Sequence, residues 1–280
     1  MHSIIVGFDG TDASFTAVDW AADRAARRET HVDIAMFAGD TLSDEVRTGA
    51  SLAAAERRVL DRAPDCEVTT RRLPGYIPAA LYAEAWAFDL LVIGSHSGRT
   101  LRTALSGWLP LRIAAGSPIP VVVVPDHWVP SCGPIVVGLD EDDSSATAAD
   151  RAAEEAEAAK VSLRVVHAWQ MPDPQIDGAI SLLASPARVK AEHARTLRAI
   201  THRLSVAHPR LDVTPILAQE SAVSALISRA QEATMLVIGT HHWGIIAGGL
   251  FGSVAQRVLA DARIPVYVVQ SQVGREGRPA

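Results

Sequence analysis

The chain has 280 residues, 48% hydrophobic and 21% charged, long enough for two globular units that each bury a core. Its formal charge of −6 speaks against a nucleic-acid or anionic-membrane surface, and no apolar run reaches the length of a membrane span. Cys66 and Cys132 form no C-x-x-C pair and no apolar leader occupies Met1 to Gly10, so the sequence reads as a reduced, cytoplasmic protein.

Apolar runs of strand length alternate with amphipathic stretches of helix length, the pattern of β-α-β units. Strands are expected near 3–8, 32–37, 67–72, 90–94 and 121–124, with helices near 13–28, 42–63, 77–87 and 109–115 between them. A stretch rich in Pro and small or polar residues, 126–134, reads as a linker. Strands follow near 135–139, 162–167, 212–217, 236–239 and 266–269, and the longest helix of this half is expected over Pro186 to Ala207. The tail, 272–280, is polar and expected to be loose. The strands carry Val, Ile and Leu without polar alternation, as a parallel sheet covered on both faces requires.

The two halves repeat one another. IIVGFDGTDAS from Ile4 returns as IVVGLDEDDSS from Ile135, LLVIGSH from Leu90 as MLVIGTH from Met235, and IPVVVVP from Ile119 as IPVYVVQ from Ile264. Three blocks in the same order do not arise from chance similarity of apolar runs, so each half is one copy of the same unit.

Open α/β sheets bind ligands at the carboxyl ends of their strands. The first strand of each copy ends in an aspartate, Asp9 and Asp140, placed either to accept hydrogen bonds from a ribose or base or to serve as a turn or helix cap. The fourth strand runs into a glycine-bearing loop, GSHSGRTLRTALSGW from Gly94 and GTHHWGIIAGGLFGS from Gly239, each followed by a helix. Such a loop turns backbone N–H groups toward phosphate oxygens at a helix N-terminus.

These features together closely resemble the universal stress protein family in its two-domain form, over nearly the whole chain. The resemblance implies two Rossmann-like (adenine nucleotide alpha hydrolase-like) α/β domains, 1–126 and 135–271, each a five-stranded parallel sheet with helices on both faces. It implies a cytoplasmic stress-response or regulatory protein rather than a metabolic enzyme. ATP-binding members carry a loop of the form G-x-x-G-x9-G-[S/T]. In the first copy Gly94 and Gly107 match that form, while Ser97 and Trp108 stand where Gly and Ser or Thr are expected, with Gly98 beside Ser97 to take over part of the bend. The second copy matches at Gly239, Gly252 and Ser253 and departs at His242. The implied ligand is ATP, with Mg2+ to bridge the acidic run Asp140-Glu141-Asp142-Asp143, and the implied binding set is Asp9, Gly94, Ser97 and Gly107 with Asp140, Gly239, His242, Gly252 and Ser253. Glu220 stands where the first copy has Gly75, and a ligand-facing carboxylate there repels phosphate.

The last strand of each copy is apolar throughout and needs a cover. In the resembled family these strands pair between domains, so an internal pseudo-dimer with antiparallel pairing is expected, and a further homodimer is left open. His241, His242 and Trp243 do not make a metal site, since adjacent histidines point apart and no Cys or carboxylate lies at ligand spacing. No G-x-S-x-G elbow or H-x-G-H element occurs, so the expected protein is not an enzyme. Two readings stay open: an adenine-nucleotide switch that signals to an unknown protein partner, and a nucleotide-free interaction scaffold with eroded sites.

Overall fold

The computed structural model describes residues 2–37, 42–74, 77–96, 109–140, 143–171, 185–240 and 252–270. The first copy runs β1 (His2–Phe8), α1 (Asp12–Ala25), β2 (Thr30–Phe37), α2 (Leu42–Arg62), β3 (Glu67–Leu73), α3 (Ala79–Ala85), β4 (Leu90–Ser95), α4 (Leu109–Gly116) and β5 (Val121–Pro125). The second runs β6 (Ile135–Leu139), α5 (Asp143–Ala159), β7 (Leu163–Ala168), α6 (Pro186–Ala207), β8 (Val213–Ala218), α7 (Ala222–Ala230), β9 (Met235–Thr240), α8 (Ser253–Asp261) and β10 (Val266–Gln270). The ten expected strands are all present, displaced at their ends by one or two residues. Two helices are shorter than expected. The first ends at Ala25, where Arg27 and Arg28 donate to carbonyls three residues back and tighten the turn. The third begins at Ala79, because Pro78 has no N–H and restricts the residue before it.

The described strands form one sheet in the order β3-β2-β1-β4-β5-β10-β9-β6-β7-β8. Each copy contributes five parallel strands, and the single antiparallel join is β5 with β10. Two five-stranded sheets are therefore one ten-stranded sheet. The reason lies in β5, VVVVP, which is buried at every position and leaves no residue suited to a solvent edge.

Both faces of the sheet are covered. One core cluster joins Ile4, Val6, Val122 and Val124 to Val137, Tyr267 and Val269 under α1, α2, α5 and α6, so it runs across both copies. The other lies under α3, α4, α7 and α8 around Ile5, Leu91, Val123, Leu236 and Val268. Alanines dominate the buried face of α5, at 148, 149, 152, 153 and 156, and let that helix lie close on the sheet. The end of each inner strand comes closer still to the following layer. A Cβ at Gly94 would stand 2.2 Å from the Ala13 carbonyl oxygen, and one at Gly239 would stand 2.7 Å from the Ser144 backbone.

Candidate functional site

From β6 the second copy builds outward to β7 and β8 on one side and to β9 and β10 on the other. This reversal is the switch point of an open sheet, where the strand ends part. A cleft of about 330 Å³ opens there, within the ordinary range of small-molecule sites. Its floor is the end of β6, Gly138 to Asp140. Its walls are apolar, with Val166 and Ala168 from β7, Leu226 from α7 and Ile238 from β9. Thr240 and Gly239 close one side, and the first turn of α8, Gly252 to Ala255, closes the mouth.

Gly252 is the N-cap of α8 and its carbonyl accepts from the Gln256 N–H at 3.0 Å. As a glycine it has no side chain with which to cap the helix, unlike the N-cap of α7, where Ser221 Oγ accepts from the Ser224 N–H. The first N–H groups of a helix have no partner within it, and the helix dipole adds partial positive charge at the same place. The cleft therefore joins an apolar slot to a group of backbone donors. Among the described residues nothing lies within 4 Å of a Cβ built on Gly252.

Asp140 is exposed on the rim of the cleft, and its N–H donates to Ser145 Oγ at 2.7 Å. The matching aspartate of the first copy is Asp9. Asp9 Oδ1 accepts from the Thr11 N–H at 3.0 Å and from Thr11 Oγ1 at 2.6 Å, while Thr11 caps α1 by accepting from the Ser14 N–H. Gly10 between them has φ of +79°, a conformation open to glycine and costly for most residues. These are the contacts of a turn, one of the two roles expected for the strand-end aspartate.

Gly94 and Gly239 lie at the strand ends where the sequence places them, and their close approach to α1 and α5 accounts for glycine at both positions without any ligand. Gly239, Gly252, Ser253 and Asp140 come together around the cleft. Ser97, Gly107 and His242 lie outside the described residues, as do Gly75, Gly98, Trp108, Glu141, Asp142, His241 and Trp243. Glu220, which would repel phosphate if it faced a ligand, is tied to the helix that follows it. Its Oε2 accepts from Ser224 Oγ at 2.6 Å and its Oε1 from Arg229 Nη1 at 2.9 Å, and it does not line the cleft. The bond from Ser224, then the bond and charge of Arg229, hold its carboxyl below the ordinary glutamate range.

The apolar walls were not singled out in the sequence. Val166 and Ala168 stand two apart at the end of β7 and so share one face of the sheet, a signal that the strand-end rule contains once that end is known. Among the described residues no group of three His, Cys, Asp or Glu is arranged to hold a metal ion, and none of their helices is long and apolar enough to cross a membrane.

The fold and cleft define a class, the tandem doubly wound α/β proteins with a ligand-sized cleft at a switch point. Within that class, the Universal stress protein family matches residues 1–125 and again residues 132–270, and the chain belongs to that family in its tandem form. Universal stress protein Rv2005c of Mycobacterium tuberculosis is 28% identical over 301 residues, covering 96% of this chain and 97% of that protein. Universal stress protein Rv2623 of the same organism is 26% identical over 300 residues, covering 96% and 97%. A universal stress protein of Archaeoglobus fulgidus shares the fold with a TM-score of 0.70 at 15% identity, covering 96% of this chain and 98% of that one. A protein of Pseudomonas aeruginosa does so with a TM-score of 0.68 at 18% identity, covering 96% and 93%.

Proposed function

We propose that this protein binds an adenine nucleotide in its second copy and passes that state to a protein partner, as a cytoplasmic regulator of the stress response without turnover of its own. The observation that carries the reading is the cleft at the ends of β6 and β9, where apolar walls meet the glycine-started first turn of α8. Val166, Ala168, Leu226 and Ile238 suit the faces of a base, and the N–H groups of the first turn suit phosphate oxygens. Asp140 is the described carboxylate on the rim, able to accept from a ribose or to share Mg2+ with the phosphates. Glu220, tied to Arg229, adds no repulsion to this account.

The scaffold reading keeps its support in the first copy. There Asp9 already accepts two hydrogen bonds from Thr11, so its carboxylate is committed to a turn. The two readings separate in a thermal-shift titration with Mg-ATP. Ligand that binds only the folded state raises its stability, by about 2.7 kcal/mol at one hundred times Kd. The expected result is a saturable rise in the wild type and in Asp9→Ala, and none in Gly252→Glu. Absence of a rise at saturating Mg-ATP in the wild type leaves the scaffold.

A further inference from the structure

Where the two copies meet, α1 and α5 are joined by Arg24 and Glu155. Arg24 Nε donates to both carboxylate oxygens, at 3.2 and 3.1 Å, and Nη2 donates to Oε1 at 2.6 Å. Each side chain is only 10% exposed, and Arg24 Nη1 is buried with no hydrogen-bond partner among the described residues. Arg28, one turn further along the first copy, places a second cation 3.8 Å from Glu155.

The two residues are 131 positions apart, the separation that also relates Asp9 to Asp140 and Ser14 to Ser145. They are therefore the same position in the two copies. A residue that touches its own counterpart lies on the two-fold axis relating them. The sheet places that axis independently. Tyr267 pairs with Val122, flanked by Val268 with Val121 and Val266 with Val123. In the repeated block, Tyr267 of IPVYVVQ is the counterpart of Val122 of IPVVVVP. Both join the core cluster under α1 and α5, and both are buried.

Two identical copies around such an axis would set arginine against arginine or glutamate against glutamate, and valine against valine or tyrosine against tyrosine. Like charges repel there in a site that water scarcely reaches. Paired valines leave space, and paired tyrosines crowd it. The observed pairs are unlike in both respects, cation with anion and small with large. We infer that the face made by α1 and β5 is built to accept the α5 and β10 face and to reject a second copy of itself. Each chain is thereby committed to closing on itself, or to exchanging halves with another chain only as unlike pairs.

Charge reversal in the full chain tests this. Arg24→Glu and Glu155→Arg each lower the thermal midpoint, by roughly 10 °C on the cost of breaking a buried pair in a chain of this size. The double reversal recovers most of that loss. The two single variants, unfolded together and refolded as an equimolar mixture, form complexes holding one chain of each kind in excess over like pairs, because exchange restores both axial pairs. This second readout stands where either variant fails to fold alone. Single reversals that melt with the wild type, a double reversal no more stable than the singles, or a mixture without an excess of unlike pairs would each overturn the inference.

Discussion

The two copies share a strand order and a strand-end aspartate, and differ in the residues that follow that aspartate. In the first, Asp9 folds back on Thr11 across a left-handed Gly10 and closes the entrance loop on itself. In the second, Asp140 stands on the rim of a cleft with its backbone bonded to Ser145. The fold delivers a carboxylate to the same place twice, before Gly10-Thr11 in one copy and Glu141-Asp142 in the other. The glycine at the end of the fourth strand is common to both. Gly94 and Gly239 both abut the first turn of the helix behind them, so that part of the loop pattern is a demand of packing in both copies.

The largest effects should come from those glycines. Gly94→Ala drives a methyl into the Ala13 carbonyl and Gly239→Ala into the Ser144 backbone, neither of which has a flexible end to yield. Each should cost about 3 kcal/mol in chemical denaturation, with Gly94 the worse of the two. Gly252→Ser, at a helix cap where no described atom lies within 4 Å of the added Cβ, should stay within about 0.5 kcal/mol of wild type. Equal tolerance at all three positions would erase the distinction between packing glycines and the cleft glycine.

The aspartates give the next contrast. Asp140→Ala should weaken nucleotide binding about tenfold, the equivalent of about 1.4 kcal/mol. Asp9→Ala should leave nucleotide affinity alone and cost about 1 kcal/mol of stability, through the lost bonds to Thr11. Calorimetric titration beside denaturant melts reads both, and exchanged phenotypes would reverse the assignment of roles.

A smaller difference lies at the opposite ends of the strands. In the first copy the Ser3 N–H and hydroxyl donate to Asp89 Oδ2 at 2.9 and 3.0 Å, whereas in the second the Thr234 hydroxyl and N–H donate to the Pro134 carbonyl, a neutral join. Burial pushes the Asp89 carboxyl up, but the bonds from Ser3 outweigh it and hold the group below its ordinary 3.8. With the folded pKa depressed, this stabilisation is present above the unfolded value and is lost as pH falls through the folded one. Asp89→Asn should therefore lose less stability than wild type between about pH 5 and about pH 3. An unchanged acid profile would remove this electrostatic contrast between the copies.

The repeat, the linker and the strands were legible because three apolar blocks recur in order, and because apolar runs without alternation leave little choice but a covered parallel sheet. That Asp140, Gly239, Gly252 and Ser253 come together around one cleft was legible because strand ends and the helix start that follows them converge in an open sheet. The walls at Val166, Ala168 and Leu226 were not, since three elements far apart in sequence bring them together and each reads as ordinary core. The ties of Glu220 were not legible for a related reason. Its partner Arg229 is nine residues on, in the last turn of α7, and only that helix brings the two together. Arg24 and Glu155 were within reach. Carrying the alignment of the first block ten residues into its helix sets the two opposite each other, although only the sheet register shows that opposite means touching.

The claim that matters most is that one copy of the two grips the nucleotide, and its most direct test is the stoichiometry of Mg-ATP binding by isothermal titration calorimetry. The account predicts one nucleotide per chain in the wild type and in Asp9→Ala, and none in Gly252→Glu. Two nucleotides per chain, or binding that survives Gly252→Glu, would contradict it.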